Sequence, residues 1–314
     1  MPIASKRKVE AHKSAPVQEA EPEPRPLEEQ PAQPPKVTAL VFSYDSAPAL
    51  RRCLTALEGS LDRPVIEILV VDCGSHDESP QLDTEFEAVT ILRLPRYFGR
   101  TKALNIATRT AQGEHLFFLT PEVEVLPNTI PVLLTRLESD PDAAAVCPLL
   151  VDTETRTHGH FFRLPTPATG LKLEPVAIDT AAEAVPVEYA TFDAFLVRKY
   201  FVKGINYLDE RYGEFWSDAE LCYQIRRASR KTLAMPQVTA LYTPHSPYSE
   251  SSKNVLEADR VHGLAVYFGK HYGFLSGLFF RLKCALKALF TLQLPLFIDL
   301  ASFKKIDGSQ TEIL

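Results

Sequence analysis

From Val37 onward, short apolar runs alternate with amphipathic stretches, and this alternation constrains the fold more than any other feature of the chain. Val37-Thr38-Ala39-Leu40-Val41-Phe42 reads as a buried strand, and residues 47 to 57 as a helix with Leu50, Leu54 and Leu57 on one face. Further strands are predicted at residues 66 to 71, around 90 to 94 and at 115 to 119. Between them lie a helical stretch near 79 to 86 and a helix over 100 to 111 that Gly113 stops. Strands alternating with helices imply an α/β architecture, a doubly wound and mainly parallel sheet with helices on both faces.

In such sheets ligands sit beyond the carboxyl ends of the strands. Those ends read Phe42-Ser43-Tyr44-Asp45, Asp72-Cys73-Gly74-Ser75 and Thr120-Pro121-Glu122, each with a carboxylate. Three acidic strand ends suit a ribose, a base edge or a metal-bound diphosphate. Neither a G-x-G-x-x-G after the first strand nor a P-loop is present, so the usual dinucleotide and P-loop readings fail.

Composition narrows the classes further. A hydrophobic fraction of 45% and a net charge of -6 fit an ordinary globular protein and give no case for nucleic acid as partner. The five cysteines are scattered and form no C-x-x-C pair, which points to a reducing, cytoplasmic compartment. No apolar leader opens the chain. Residues 1–36 carry eight prolines, a basic start and an acidic run, the composition expected of a disordered tail.

Several stretches then fall into one pattern. Val70-Val71-Asp72-Cys73-Gly74-Ser75-His76-Asp77 resembles the V-V-D-x-G-S-x-D signature of inverting family two glycosyltransferases, which have the GT-A fold. Tyr44-Asp45 stands at that family's first-strand Thr-Tyr-Asn. Phe98-Gly99-Arg100 through Asn105 and Gln112-Gly113-Glu114 resemble its N-x-G-x-x-x-A-x-N and A-x-G-[DE] stretches. Leu119-Thr120-Pro121-Glu122-Val123-Glu124-Val125 is similar to the L-N-P-D-x-E-V form of the metal motif in rhamnosyltransferase-like members. Leu208-Asp209-Glu210-Arg211 through Leu221-Cys222 resembles F-D-E-R-F-F-x-Y-x-E-D-x-D-L-C. The match runs in order from about Val37 to about His245, within an expected domain of residues 37–250.

The resemblance implies a nucleotide-sugar donor, UDP- or dTDP-linked, and a glycan or lipid-linked acceptor such as a growing surface polysaccharide. It places Tyr44, Asp45, Asp72, Arg100 and Lys102 on the donor. Carboxylates accept from imide and ribose groups, and cations at a helix start meet phosphate oxygens. Asp72 also suits a turn cap before Gly74. Glu122 and His245 fall at the metal positions, for Mg²⁺ or Mn²⁺ that neutralises the leaving diphosphate. Asp218 matches the general base, and Asp193, Trp216 and Glu220 lie on the acceptor side. Ser217 is also expected to cap the helix that Asp218 opens. Departures from the family at Thr120, Glu122, Asp193, Ser217 and Glu220 keep a second reading open, a catalytically degenerate module that binds a glycan or a protein partner. A nucleotidyltransferase is a third.

Residues 251–314 form a separate C-terminal segment. From Lys253 to Lys305 eight Lys/Arg face three Asp/Glu, and Phe274 to Phe297 is rich in Leu and Phe but interrupted by Arg281, Lys283 and Lys287. Those charges disfavour a spanning helix. Two readings remain, amphipathic helices that close the core, or a helix lying peripherally on an anionic inner membrane face.

Overall fold

The computed structural model describes residues 34–308 apart from Asp62 and Ser246, so residues 1–33 of the expected tail lie outside the described residues. Strands β1 (Val37–Ser43), β2 (Ile66–Asp72), β3 (Val89–Arg93) and β4 (His115–Leu119) are joined through helices α1 (Ala47–Glu58) and α2 (Arg100–Thr110). They form a wholly parallel half-sheet in the order β3-β2-β1-β4. Every residue of β1 and β4 is buried, because strands covered on both faces carry continuous apolar runs.

The chain continues through β5 (Val123–Val125), α3 (Thr129–Ser139), β6 (Ala143–Val151), β7 (Thr157–His158), β8 (Phe161–Phe162), β9 (Val185–Val187), β10 (Tyr189–Ala190) and β11 (Ala194–Arg198). Then come α4 (Lys199–Gly204), α5 (Ser217–Arg227) and β12 (Lys231–Tyr242). β11 enters antiparallel between β4 and β6, and β12 runs parallel to β6, extending the sheet as β4-β11-β6-β12-β5. The result is a mixed, mainly parallel sheet with an apolar cluster on each face.

Two local expectations are corrected. Residues 79 to 84 make a short 3-10 turn rather than an α-helix: Pro80 follows its first residue, and only Ser79 and Leu82 are buried, too few for an apolar stripe. Ser217 does not cap α5 but is its first helical residue; Trp216 occupies the cap position at φ 76° and makes no side-chain capping bond.

Helices α6 (Lys253–His271), α7 (Phe274–Phe290) and α8 (Leu294–Ala301) complete the described chain. The described residues form one compact unit. α6 buries Leu264, Tyr267 and Phe268 in the main core, whereas α7 and α8 show many apolar side chains on the outside. No helix among the described residues is long and apolar enough to cross a membrane.

Candidate active site

Because β1 pairs in parallel with both β2 and β4, their carboxyl ends converge on one edge of the sheet. A cleft of about 130 Å³ opens there, lined by Tyr44, Arg100, Thr120, Glu122, Asp193, Tyr242, His245 and Tyr248 among others. The structure thus gathers five of the sequence-derived residues, Tyr44, Arg100, Glu122, Asp193 and His245, into one place.

Arg100, the first residue of α2, is held from below. Glu214, almost wholly buried, lies 3.2 Å from its Nε and accepts its backbone N–H at 3.0 Å. The Tyr97 and Tyr248 hydroxyls both donate to the same carboxylate, the latter at 2.9 Å. Glu214 is in turn fixed by Asp259 of α6, whose two oxygens accept the N–H groups of Glu214 and Ile306, each at 2.8 Å. Burial pushes the Asp259 carboxyl up to about 7. Gly213 is required beside it, since a Cβ there would collide with that carboxylate.

Asp218 lies in the first turn of α5. Burial pushes its carboxyl up to about 6, and the charge of Asp193 pushes the same way. The N–H of Ala219 at 2.8 Å, the Arg100 cation and a hydrogen bond from the Tyr189 hydroxyl pull it back. Such a carboxylate is ionised at neutral pH yet basic enough to take a proton from a hydroxyl.

Asp45 and Asp72 anchor the neighbouring loops. Asp45, at φ 39°, accepts the His76 N–H at 2.6 Å, and its carbonyl meets His245 Nε2 at 3.2 Å. Asp72 accepts from the N–H groups of Gly74 and Ser75 and from the Ser75 hydroxyl at 2.5 Å, the turn-capping arrangement. Gly74, at φ 80°, leaves no room for a Cβ against the Arg96 backbone. Tyr44 is buried edge-on against Tyr97, with ring centroids 4.7 Å apart.

Glu122 and Asp193 are the carboxylates of the cleft. Burial raises the Glu122 carboxyl above its ordinary value; Arg100 opposes this and Asp193 adds to it. Among the described residues no three His, Cys, Asp or Glu side chains cluster closely enough to hold an ion alone. The donor set nevertheless fits Mg²⁺ or Mn²⁺, which bind through one or two carboxylates and complete their shell with phosphate oxygens and water.

Asp218, Asp45 and Asp72 do not line the cleft itself, and three further sequence-derived residues lie outside it too. Lys102 packs its ammonium 4.6 Å over the Phe98 ring. Trp216 turns toward α6, with its indole N–H donating to the Arg260 carbonyl at 2.8 Å. Glu220 faces a separate cavity of about 640 Å³ on another face of α5. Although burial opposes it, hydrogen bonds from His271 and Lys270, each at 2.7 Å, and from Gln224 bring its carboxyl down to about 2.

The sequence reading missed Glu214, Tyr189, Tyr97 and Tyr248. Glu214 alone left a signal: a single acid among Tyr212, Phe215 and Trp216, four residues before Asp218. The others reach the site only through tertiary packing.

A parallel half-sheet extended through an antiparallel strand, with acidic strand ends facing a cleft, is the architecture of GT-A glycosyltransferases. A model of glycosyl transferase family 2 matches residues 38–197, about half of the chain, and the chain belongs to that family. No curated protein matches it. Among solved structures it is similar to GalNAc-T7 crystallised with UDP, GalNAc and Mn²⁺, at 16% identity and a TM-score of 0.60, covering 74% of this chain and 48% of that one. It thus spans about half of that protein's crystallised length. The mannosyltransferase PcManGT of Pyrobaculum calidifontis, solved with GDP-Man and Mn²⁺, gives 16% identity and a TM-score of 0.54 over 88% of this chain and 77% of that one. Residues 1–349 of S. aureus TarS give 16% and 0.52 over 86% and 81%. At such identity the likeness shows the fold.

Proposed function

We propose that this protein is an inverting glycosyltransferase of the rhamnosyltransferase-like group. It moves a hexosyl residue from a UDP- or dTDP-linked donor to a glycan or lipid-linked acceptor at the cytoplasmic side of a cell envelope. Residues 37–250 carry the transfer and residues 251–314 the attachment to a surface. The observation that supports this reading best is the convergence of Arg100, Glu122, Asp193 and His245 on one cleft at the strand ends, with the Asp218 carboxyl, raised to about 6 by burial, feeling the charges of Arg100 and Asp193.

In the proposed reaction the acceptor hydroxyl gives its proton to Asp218 as its oxygen attacks the anomeric carbon. The bond to the diphosphate breaks on the opposite face of the sugar, which inverts the configuration. Arg100, preset by Glu214, offers its cation to the departing diphosphate at no cost of reorganisation. Asp45 and Asp72 hold the loops that meet the base and ribose, Tyr44 supplies an aromatic wall, and Lys102 adds positive charge at the start of α2. Asp193 orients the acceptor, while Trp216 and Glu220 support that side as framework. Glu122, helped by His245, would hold Mg²⁺ or Mn²⁺, which neutralises charge on the leaving group.

One observation favours a second reading. The cleft, about 130 Å³, is smaller than the roughly 300–1,000 Å³ of most ligand pockets. His245 and Tyr248 line it, and so small a cleft suits a module that engages glycan or protein without turnover.

The deciding experiment incubates the protein with Mn²⁺ and a panel of UDP-, GDP- and dTDP-sugars and scores nucleoside diphosphate release, with Asp218→Asn alongside. Metal-dependent release that the variant loses supports the transferase. Neither release nor nucleotide binding by calorimetry moves the assignment to the binding module.

A further inference from the structure

α7 presents three faces. At about 100° per residue, Gly277, Arg281 and Ala288 fall on one side and are buried. Gly277 permits the close crossing with α6, since a Cβ there would strike the Ala265 carbonyl. Arg281 is engaged internally: it donates to the Leu300 carbonyl at 3.1 Å and lies 3.8 Å over the Phe303 ring. The second face is a continuous outward arc of Phe274, Leu275, Leu278, Phe279, Leu282 and Phe290, of which Phe279 is 61% and Phe290 81% exposed. Lys283 and Lys287, both exposed, border that arc as the third face, and α7 contains no Asp or Glu.

Exposed apolar surface on this scale marks an interaction site. The N-terminal residues 1–33, rich in Pro and Glu, offer no apolar stripe to fill it. A second copy of the chain would meet its own patch in an isologous contact, which sets lysines near lysines with no carboxylate of α7 to answer them. Anionic headgroups do answer them, while acyl chains accept the Phe and Leu side chains. The helix is not long and apolar enough to span a bilayer, so it suits lying in the interface.

We propose that the outward face of α7, continued by Leu294 and Ile298 of α8, docks on an anionic lipid surface with its Phe/Leu arc entering the boundary between headgroups and acyl chains. This rests on the surface alone and not on the catalytic reading.

Flotation of the full chain with phosphatidylcholine vesicles, with and without phosphatidylglycerol, tests it. The protein is expected to float with the anionic vesicles and much less with the neutral ones. Lys283→Ala with Lys287→Ala is expected to lower partition roughly 25-fold, at about fivefold per lysine. Phe279→Ser with Leu282→Ser is expected to abolish flotation while leaving the melting temperature unchanged. Failure to float with either vesicle, or equal flotation of the Phe279 and Leu282 variant, overturns the proposal. A concentration-dependent dimer dispersed by those serines also overturns it and assigns the face to a second copy. Donor hydrolysis, read without vesicles, fails or succeeds independently of these outcomes.

Discussion

The Glu214 carboxylate lies 3.2 Å from Arg100 Nε and also accepts the Arg100 N–H, so a single buried acid sets both the backbone and the cation at the start of α2. Glu214→Gln leaves that cation without its counter-charge. The expected cost is about 3 kcal/mol of stability. A higher donor KM should accompany it, because the guanidinium is no longer aimed at the diphosphate. Thermal unfolding and a donor titration on the same preparation check both.

Asp218 works as a base only when ionised, and its carboxyl stands at about 6. The acid limb of kcat/KM is therefore expected to fall below about pH 6 with unit slope. Asp218→Asn should lower kcat by about 10²–10⁴. The Tyr189 hydroxyl stabilises the ionised form, so Tyr189→Phe is expected to move the limb to higher pH, by up to about one unit, with the alkaline plateau little changed. A pH–rate profile of both variants reads this out.

Removal of divalent metal by chelation is expected to reduce nucleotide-sugar turnover on the order of 100-fold and to be reversed by Mn²⁺. Glu122→Ala should raise the metal concentration needed for half activity by at least about tenfold. Turnover that persists at full rate in chelator removes Glu122 from the scheme.

Glu220 gives a prediction about stability rather than rate. Its folded pKa, about 2, lies below its ordinary value of 4.5. Its partners Lys270 and His271 therefore stabilise the fold fully above pH 4.5, and that contribution is lost as pH falls toward 2. The contribution is on the order of 3 kcal/mol. Urea unfolding at a series of pH values should show the acid slope, and Glu220→Gln should flatten it while lowering stability at neutral pH.

The half-sheet was legible because buried parallel strands are written as unbroken apolar runs, as in Leu116 to Leu119. Between Leu126 and Phe192 the strands β7 to β10 resisted reading, since each is only two or three residues long and pairs with β6, with β12 or with one another. The site followed the same rule. Asp218, Glu122 and Arg100 stand in ordered local motifs, whereas the pairing of Glu220 with Lys270 and His271 spans about fifty residues and could not be seen. The left-handed backbone at Trp216 was equally hidden, because no glycine or asparagine announces it.

Asp259 ties the Glu214 loop to Ile306 through hydrogen bonds of one carboxylate. This has a consequence for how the protein matures on the ribosome. The loop that aims Arg100 gains its last support only when residue 306 has emerged, long after the strands at the sheet edge have been made. A nascent chain halted shortly before that point would hold a nearly finished sheet while one oxygen of the Asp259 carboxylate still lacked its partner, so the brace behind Arg100 is completed after the sheet.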